Sequence, residues 1–211
     1  MRHNIKDGRI FVIAAPSGAG KTTLCQALIN DITSLKYTTS YTTRQPRKGE
    51  VKGSHYHFVS QEKFREMVEQ ELFAEWAEVY GNYYGTLVKD IETLNRSGYD
   101  ALMDIDTRGA MQIRQKFKDS VLIFICPPSL SILEKRLYER GTDSLDVVKK
   151  RLKKVYDELE YLSKFDYLVV NDELSRSVSD LQSIIAAEKL KVAYISPLWI
   201  NTFLKNTNKQ S

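Results

Sequence analysis

Ile10-Phe11-Val12-Ile13-Ala14-Ala15-Pro16-Ser17-Gly18-Ala19-Gly20-Lys21-Thr22-Thr23 is the stretch whose reading decides the fold. Ile10 to Ala15 is an unbroken apolar run, the mark of a strand covered on both faces. A glycine-rich turn follows, and then Leu24, Ala27 and Leu28 recur on one face of a helix. Strand, glycine turn and helix in that order are the context a phosphate-binding loop requires. Gly18 and Gly20 permit backbone conformations that turn successive N–H groups inward, and the helix N-terminus adds partial positive charge. Ser17, Ala19 and Thr23 complete the cradle. Lys21 would reach the β- and γ-phosphates, and the Thr22 hydroxyl would ligate Mg²⁺. The strict pattern has glycine where this chain has Ala15, whose methyl group would resist a positive φ. The loop specifies nucleotide phosphate and says nothing about a second substrate.

Outward from this loop, buried-looking strands alternate with helical patterns, which predicts a parallel sheet flanked by helices. Ala101–Met103, Val121–Cys126 and Tyr167–Val170 read as further strands. The helical patterns that follow them lie around Ala110–Lys116, Leu130–Arg140 and Leu174–Val192. Two regions interrupt the alternation. Residues 36–85 are short-patterned, aromatic and turn-rich, with one helix at Gln61–Gln70, and read as a mixed α+β insertion. Residues 130–162 are helical and basic, and Leu145, Val148, Leu152, Val155, Leu159 and Leu162 form an amphipathic seam. The segment from Ile195 begins apolar and ends polar, and no function is assigned to it.

The chain has 211 residues, 42% hydrophobic and 27% charged, enough for one domain with inserted subdomains. No early apolar run is long enough for a leader or a membrane helix, so a cytoplasmic address is expected. The net charge of +4 suits phosphorylated small molecules as well as nucleic acid. No nucleic-acid motif accompanies it, so neither a nucleic-acid nor a membrane partner is expected. Cys25 and Cys126 sit in apolar patterns without metal spacing and read as buried, reduced thiols. His55 and His57 flank Tyr56, and no metal is assigned to them. Neither a monomer nor a homo-oligomer is specified.

A second basic cluster, Ser40-Tyr41-Thr42-Thr43-Arg44-Gln45-Pro46-Arg47, precedes Gly49-Glu50-Val51 and Tyr56. Two arginines across a proline-stiffened turn can present two forks to one phosphate. Further on lie Glu75-Trp76-Ala77-Glu78, Gly81-Asn82-Tyr83-Tyr84-Gly85-Thr86 and Asp104-Ile105-Asp106. In this order, from about Ile10 to Glu188, these motifs closely resemble the guanylate kinase family. The resemblance implies an α/β, P-loop nucleoside monophosphate kinase fold: a central parallel sheet, an inserted GMP-binding subdomain and a helical lid. It divides the chain into a core (1–35 and 87–195), a GMP-binding subdomain (36–86), a lid (about 130–162) and a tail (196–211).

Carried over position by position, the resemblance implies that Arg44, Arg47, Tyr56 and Tyr84 hold the GMP phosphate. Ser40, Glu75 and Thr86 would face the guanine, with threonine standing where the family often has serine. Asp104 matches an acidic position near metal and substrate, and Asp106 is close enough that the two are not ranked. Both sit where ligands bind in such sheets, although a strand-end cap would also explain either. Arg136 and Arg140, four apart on one helix face, and Arg151 on the next helix would swing over the transferring phosphates. Asn171, after the strand Tyr167–Val170, would lie near the adenine. Helix capping would explain its neighbour Asp172 equally well.

The implied reaction moves the γ-phosphoryl group of ATP onto GMP, and onto dGMP, with Mg²⁺ as the cofactor. It needs positioning and charge stabilisation rather than a general base, because the acceptor oxygen is already an anion. Three other readings fit less well. A kinase for a different acceptor need not keep Ser40, Glu75 and Thr86 together. Guanylate-kinase-like interaction modules typically have a degraded phosphate loop, whereas Lys21 and Thr22 are intact here. A generic ATPase or GTPase leaves the second basic cluster unexplained.

Overall fold

The computed structural model describes residues 8–16, 18–47, 49–79, 81–139, 155–195, 200–202 and 204–205. Two sheets organise it. Five strands form a wholly parallel sheet in the order β2-β7-β1-β8-β9, namely Leu35–Tyr37, Asp100–Asp104, Ile10–Ala14, Val121–Cys126 and Tyr167–Val170. Four more make a smaller mixed sheet in the order β4-β3-β6-β5, namely His57–Phe58, Tyr41–Thr42, Asn82–Leu87 and Phe73–Val79.

All five residues of β1 are buried, as its unbroken apolar run demands. Its side chains alternate between two cores. Phe11 and Ile13 pack on one face with Leu24 and Leu28 of α1 (Lys21–Asp31) and with Leu181 and Ile185 of α6 (Leu174–Lys189). Ile10 and Val12 pack on the other face with Ile91 of α3 (Val88–Arg96) and Ile113 of α4 (Thr107–Lys116). Each such side chain contributes about 1.5–3 kcal/mol of burial, so this strand is the anchor of the sheet. The loop at its carboxyl end inherits that rigidity.

In the smaller sheet, Phe64 of α2 (Gln61–Glu69) stacks on Phe73 and Tyr83, with ring centroids 4.4 and 5.5 Å away. Ser60 caps α2 by accepting from the Lys63 N–H. Edge strand β5 is docked on α4. The Gln112 amide donates to the Trp76 carbonyl at 3.0 Å and accepts the Trp76 N–H at 3.1 Å. One turn further along, Lys116 Nζ donates to the Phe73 carbonyl at 2.5 Å.

Several expectations need correction. Lys36 and Tyr37 belong to β2 and pair with β7 in the parallel sheet, not with the insertion. Helix α3 was not expected, although Val88, Ile91 and Leu94 recur along one face and pack on the sheet. Helix α4 begins at Thr107, and α6 ends at Lys189 with a short 3-10 turn at Val192–Tyr194. Cys25 is buried, but Cys126 is only half-buried. Of the basic region, α5 (Leu130–Glu139) and residues 155–162 are described, helical over 155–159, with Leu162 opening a short 3-10 turn. There Val155 packs on Leu133, beside Leu159, whereas Leu145, Val148 and Leu152 lie outside the described residues. Among the described residues, no helix is long and apolar enough to cross a membrane.

Candidate functional site

The phosphate loop turns at Gly18 and Gly20, whose φ angles of 93° and 90° lie in the left-handed region that glycine adopts without strain. Ala15 lies outside that region, so the strain expected from its methyl group does not arise. Gly20 caps α1 with no side-chain hydrogen bond, and the first turn holds no acid. Backbone N–H groups and the helix dipole are thus offered to an anion without competition from a local carboxylate. Thr22 and Thr23 are exposed on that first turn.

Two contacts fix the loop from its sides. Lys21 Nζ lies 2.6 Å from Asp104 Oδ1 and donates to the Ile105 carbonyl at 2.9 Å. Asn171 is buried and donates from Nδ2 to the Ala19 carbonyl at 2.7 Å. A Cβ on Gly20 would stand 2.4 Å from that amide nitrogen, so the glycine is needed for closeness as well as for φ. Asn171, expected beside the adenine, therefore spends its side chain on the loop backbone. Its carbonyl accepts from Arg136 on α5 at 3.2 Å, which brings that predicted lid arginine to the loop's flank. Ser17, Arg140 and Arg151 lie outside the described residues.

The two aspartates separate. Asp104, the last residue of β7, faces Lys21. Asp106 is the N-cap of α4 and accepts from the Gly109 N–H at 2.8 Å. Asp172 accepts from the Glu173 N–H at 2.7 Å, at the start of α6.

Across the cleft, Arg44 NH2 pairs with Glu50 Oε1 at 2.8 Å. Its guanidinium lies 5.5 Å from the Tyr56 ring and 5.9 Å from the Phe58 ring. Tyr56 meets Tyr84 edge to face, with centroids 6.0 Å apart. The Arg47 side chain is exposed, and its N–H donates to Glu50 Oε2 at 2.7 Å. Glu50 thus organises both arginines, a role the sequence reading did not assign. The available signal was its place three residues after Arg47. Arg44, foremost, and the Arg47 N–H hold the Glu50 carboxyl down at about 2.

Ser40 and Thr86 share a hydrogen bond at 3.0 Å. Beside them Glu75 is only 4% exposed. Burial pushes its carboxyl up to about 7, reinforced by the negative charge of Asp106 and opposed by hydrogen bonds from Thr86. Glu78, three residues along β5, is exposed.

Lys21, Ser40, Tyr56, Glu75, Tyr84, Asp104 and Asp106 converge on one cleft of about 290 Å³, with Ala77, Val79 and Ile105 as its apolar wall. Arg44, Arg47 and Thr86 do not line it. Arg44 and Arg47 are placed by Glu50, and Thr86 is fully buried against Ser40 and Glu75. A cavity of about 330 Å³ lies at the amino end of the parallel sheet, around Arg9 and Ser120, and contains no predicted site residue.

Residues 7–188 match the family model for guanylate kinase. The chain is 48% identical over 185 residues to a guanylate kinase of Desulfitobacterium hafniense, an alignment covering 88% of this chain and 92% of that protein. It is 47% identical over 186 residues to one of Neisseria meningitidis serogroup A, covering 88% and 91%. The crystal structure of guanylate kinase from Anaplasma phagocytophilum superposes with a TM-score of 0.73 at 30% identity, covering 90% of this chain and 92% of that one.

Proposed function

The chain belongs to the guanylate kinase family, and from that premise we propose how its residues divide the work. It is an ATP-dependent nucleoside monophosphate kinase that moves the γ-phosphoryl group of ATP onto GMP, giving ADP and GDP. The observation that supports the division of labour is a single cleft walled by Lys21 and Asp104 on one side and by Glu75, Ser40, Tyr56 and Tyr84 on the other. One wall carries chemistry for donor phosphates. The other carries chemistry for a purine with hydrogen-bond donors and for its phosphate.

On the donor side, the backbone of residues 17–23 cradles the ATP phosphates and Lys21 offsets their charge. Asn171 and Gly20 hold that backbone in place, and Arg136, with Arg140 and Arg151, supplies positive charge from the lid. Mg²⁺ fits the oxygen donors present: the Thr22 hydroxyl lies in the first turn of α1, and the Asp104 carboxylate, 24% exposed, stands at the same sheet edge. Among the described residues no group of three or more His, Cys, Asp and Glu is placed to hold a metal. Mg²⁺ does not need one, because it keeps several waters and takes one or two protein ligands plus substrate phosphates. When bound, it would neutralise charge on the β- and γ-phosphates.

On the acceptor side, Arg44, Arg47, Tyr56 and Tyr84 grip the GMP phosphate, while Glu75, Ser40 and Thr86 read the base. Guanine presents N1–H and its 2-amino group side by side, and one carboxylate accepts both. Adenine has a lone pair at N1 and no 2-amino group. A buried carboxylate left facing that edge is an unpaired polar group, which costs far more than a misfit of shape. Asp106, in the same lining, sets the charge environment of Glu75. The remaining work is to hold two anions in line and exclude water.

In this division the acceptor subdomain begins after β2 and runs to residue 86, the lid spans about 130–162, and the core comprises residues 1–37 and 87–195. The test offers purified protein ATP and Mg²⁺ with GMP, dGMP, AMP, CMP and UMP in turn. GDP and dGDP formation far above the other products supports the assignment. Equal turnover of AMP would overturn the role given to Glu75.

A further inference from the structure

The face that α4 presents to β5 carries three residues at helical spacing. Gly109, Gln112 and Lys116 meet Glu75, the Trp76 backbone and the Phe73 carbonyl in turn. Gln112 and Lys116 act as clamps that set how closely the helix approaches the strand. At the first position there is no side chain. A methyl group on Gly109 would stand 2.9 Å from Glu75 Oε2, 3.3 Å from Ile105 Cδ1 and 3.5 Å from Asp106 Oδ1. The space a Cβ would fill is therefore held by a carboxylate oxygen.

We propose that Gly109 is a specificity-setting position: by lacking a side chain it fixes where the Glu75 carboxylate sits, and so how accurately guanine is read. The inference rests on Glu75 as the guanine reader. Gly109 is a positioning residue here, because it acts through Glu75. Two features separate this role from ordinary close packing. First, Gly109 is not in the left-handed region, so alanine suits its backbone. In a helix, alanine also favours folding relative to glycine. Second, the nearest atom to the added methyl group is the tip of a flexible side chain rather than backbone, so the carboxylate yields before the helix does. The fold tolerates the change, and the base-reading oxygen absorbs it. The same N–H that caps onto Asp106 also ties this position to the other acid lining the cleft.

The experiment uses Gly109→Ala beside Glu75→Gln, with GMP and inosine 5′-monophosphate as acceptors. Inosine 5′-monophosphate keeps N1–H but lacks the 2-amino group, so the ratio of the two kcat/KM values reports one of the two hydrogen bonds. For Gly109→Ala the KM for GMP should rise roughly tenfold and the GMP preference should fall by a similar factor, the scale of a misplaced contact. The KM for ATP should stay within about twofold, and the melting temperature should hold or rise by up to ~3 °C. Glu75→Asp withdraws the oxygen from the new methyl group, so it should cost GMP turnover less in the Gly109→Ala background than in the parent. An unchanged preference in Gly109→Ala, with a collapsed one in Glu75→Gln, would overturn the inference and leave the Glu75 reading standing. A lowered melting temperature with equal losses for ATP and GMP would also overturn it, as plain packing damage. No loss of preference in Glu75→Gln would remove the Glu75 reading itself.

Discussion

Lys21 Nζ and Asp104 Oδ1 stand 2.6 Å apart, joining the first residue of α1 to the last residue of β7 across the carboxyl edge of the parallel sheet. Both side chains are partly exposed, so the pair adds little to stability. It presets the ammonium at the mouth of the phosphate loop.

Lys21→Ala should therefore nearly abolish turnover while the melting temperature changes by no more than ~2 °C. GMP affinity, measured by calorimetry, should stay within about threefold, because Lys21 acts on the donor phosphates. Near-parental turnover would remove the loop from the mechanism.

Asn171→Ala tests the loop's other support. The Ala19 carbonyl loses its donor in a buried place, which costs about 1–3 kcal/mol and lowers the melting temperature by a few degrees. The loop loosens, so the KM for ATP should rise several-fold with GMP binding unchanged. Asn171→Asp sets a carboxylate against that carbonyl and should be at least as damaging. A parental ATP KM in both variants would show that Asn171 serves neither the loop's grip on ATP nor its base.

Glu50→Ala releases Arg44 and the Arg47 N–H together. The turn carrying both arginines loses its brace, so the KM for GMP should rise several-fold with kcat changed less. The Glu50 carboxyl is held near 2, below its ordinary 4.5, so its pairing is complete above pH 4.5 and is lost only as pH falls toward 2. Between pH 5 and 9 it should add no pH dependence. A kinetic limb in that range that vanished in Glu50→Ala would contradict the assignment.

What the sequence disclosed follows from how each feature is encoded. The unbroken run of β1 and the glycines after it are local signals, and they fall where a buried strand and a left-handed turn require them. Helix α3 was legible in principle, since Val88, Ile91 and Leu94 recur every three residues and pack together on the sheet, but it follows β6 directly, with no turn between them to mark its start. Strand β2 is three residues long and is defined by its pairing with β7. Asp104 and Asp106 look alike in sequence. They divide only because one ends a strand facing Lys21 and the other begins a helix. Asn171 and Gly109 act on residues far along the chain, Ala19 and Glu75, and no local pattern announces such contacts.

The charge state of Glu75 leads to the last prediction. In the folded chain its carboxyl is raised to about 7 from an ordinary 4.5, chiefly by burial. It keeps its proton in the folded state after the unfolded chain has released its own, so this group takes stability away as pH climbs from 4.5 to 7. Glu75→Gln removes that cost. At pH 8 the variant should be more stable than the parent by on the order of 1–3 kcal/mol, and the difference should shrink toward pH 5. Function should move the other way. Guanine offers donors, which only the ionised carboxylate accepts twice, so GMP binding should strengthen as pH rises through 7 and should release a proton. The GMP phosphate titrates nearby, near pH 6, and adds its own limb. Glu75→Gln should keep the phosphate limb, lose the upper one and lose GMP activity steeply. Glu78→Gln, on the exposed side of the same strand, should keep both limbs and near-parental activity. The measurements are kcat/KM for GMP from pH 5.5 to 9 and melting curves at both ends of that range. An upper limb that survived in Glu75→Gln, or a variant less stable than the parent at pH 8, would show that Glu75 is neither the titrating group nor the reader of the base.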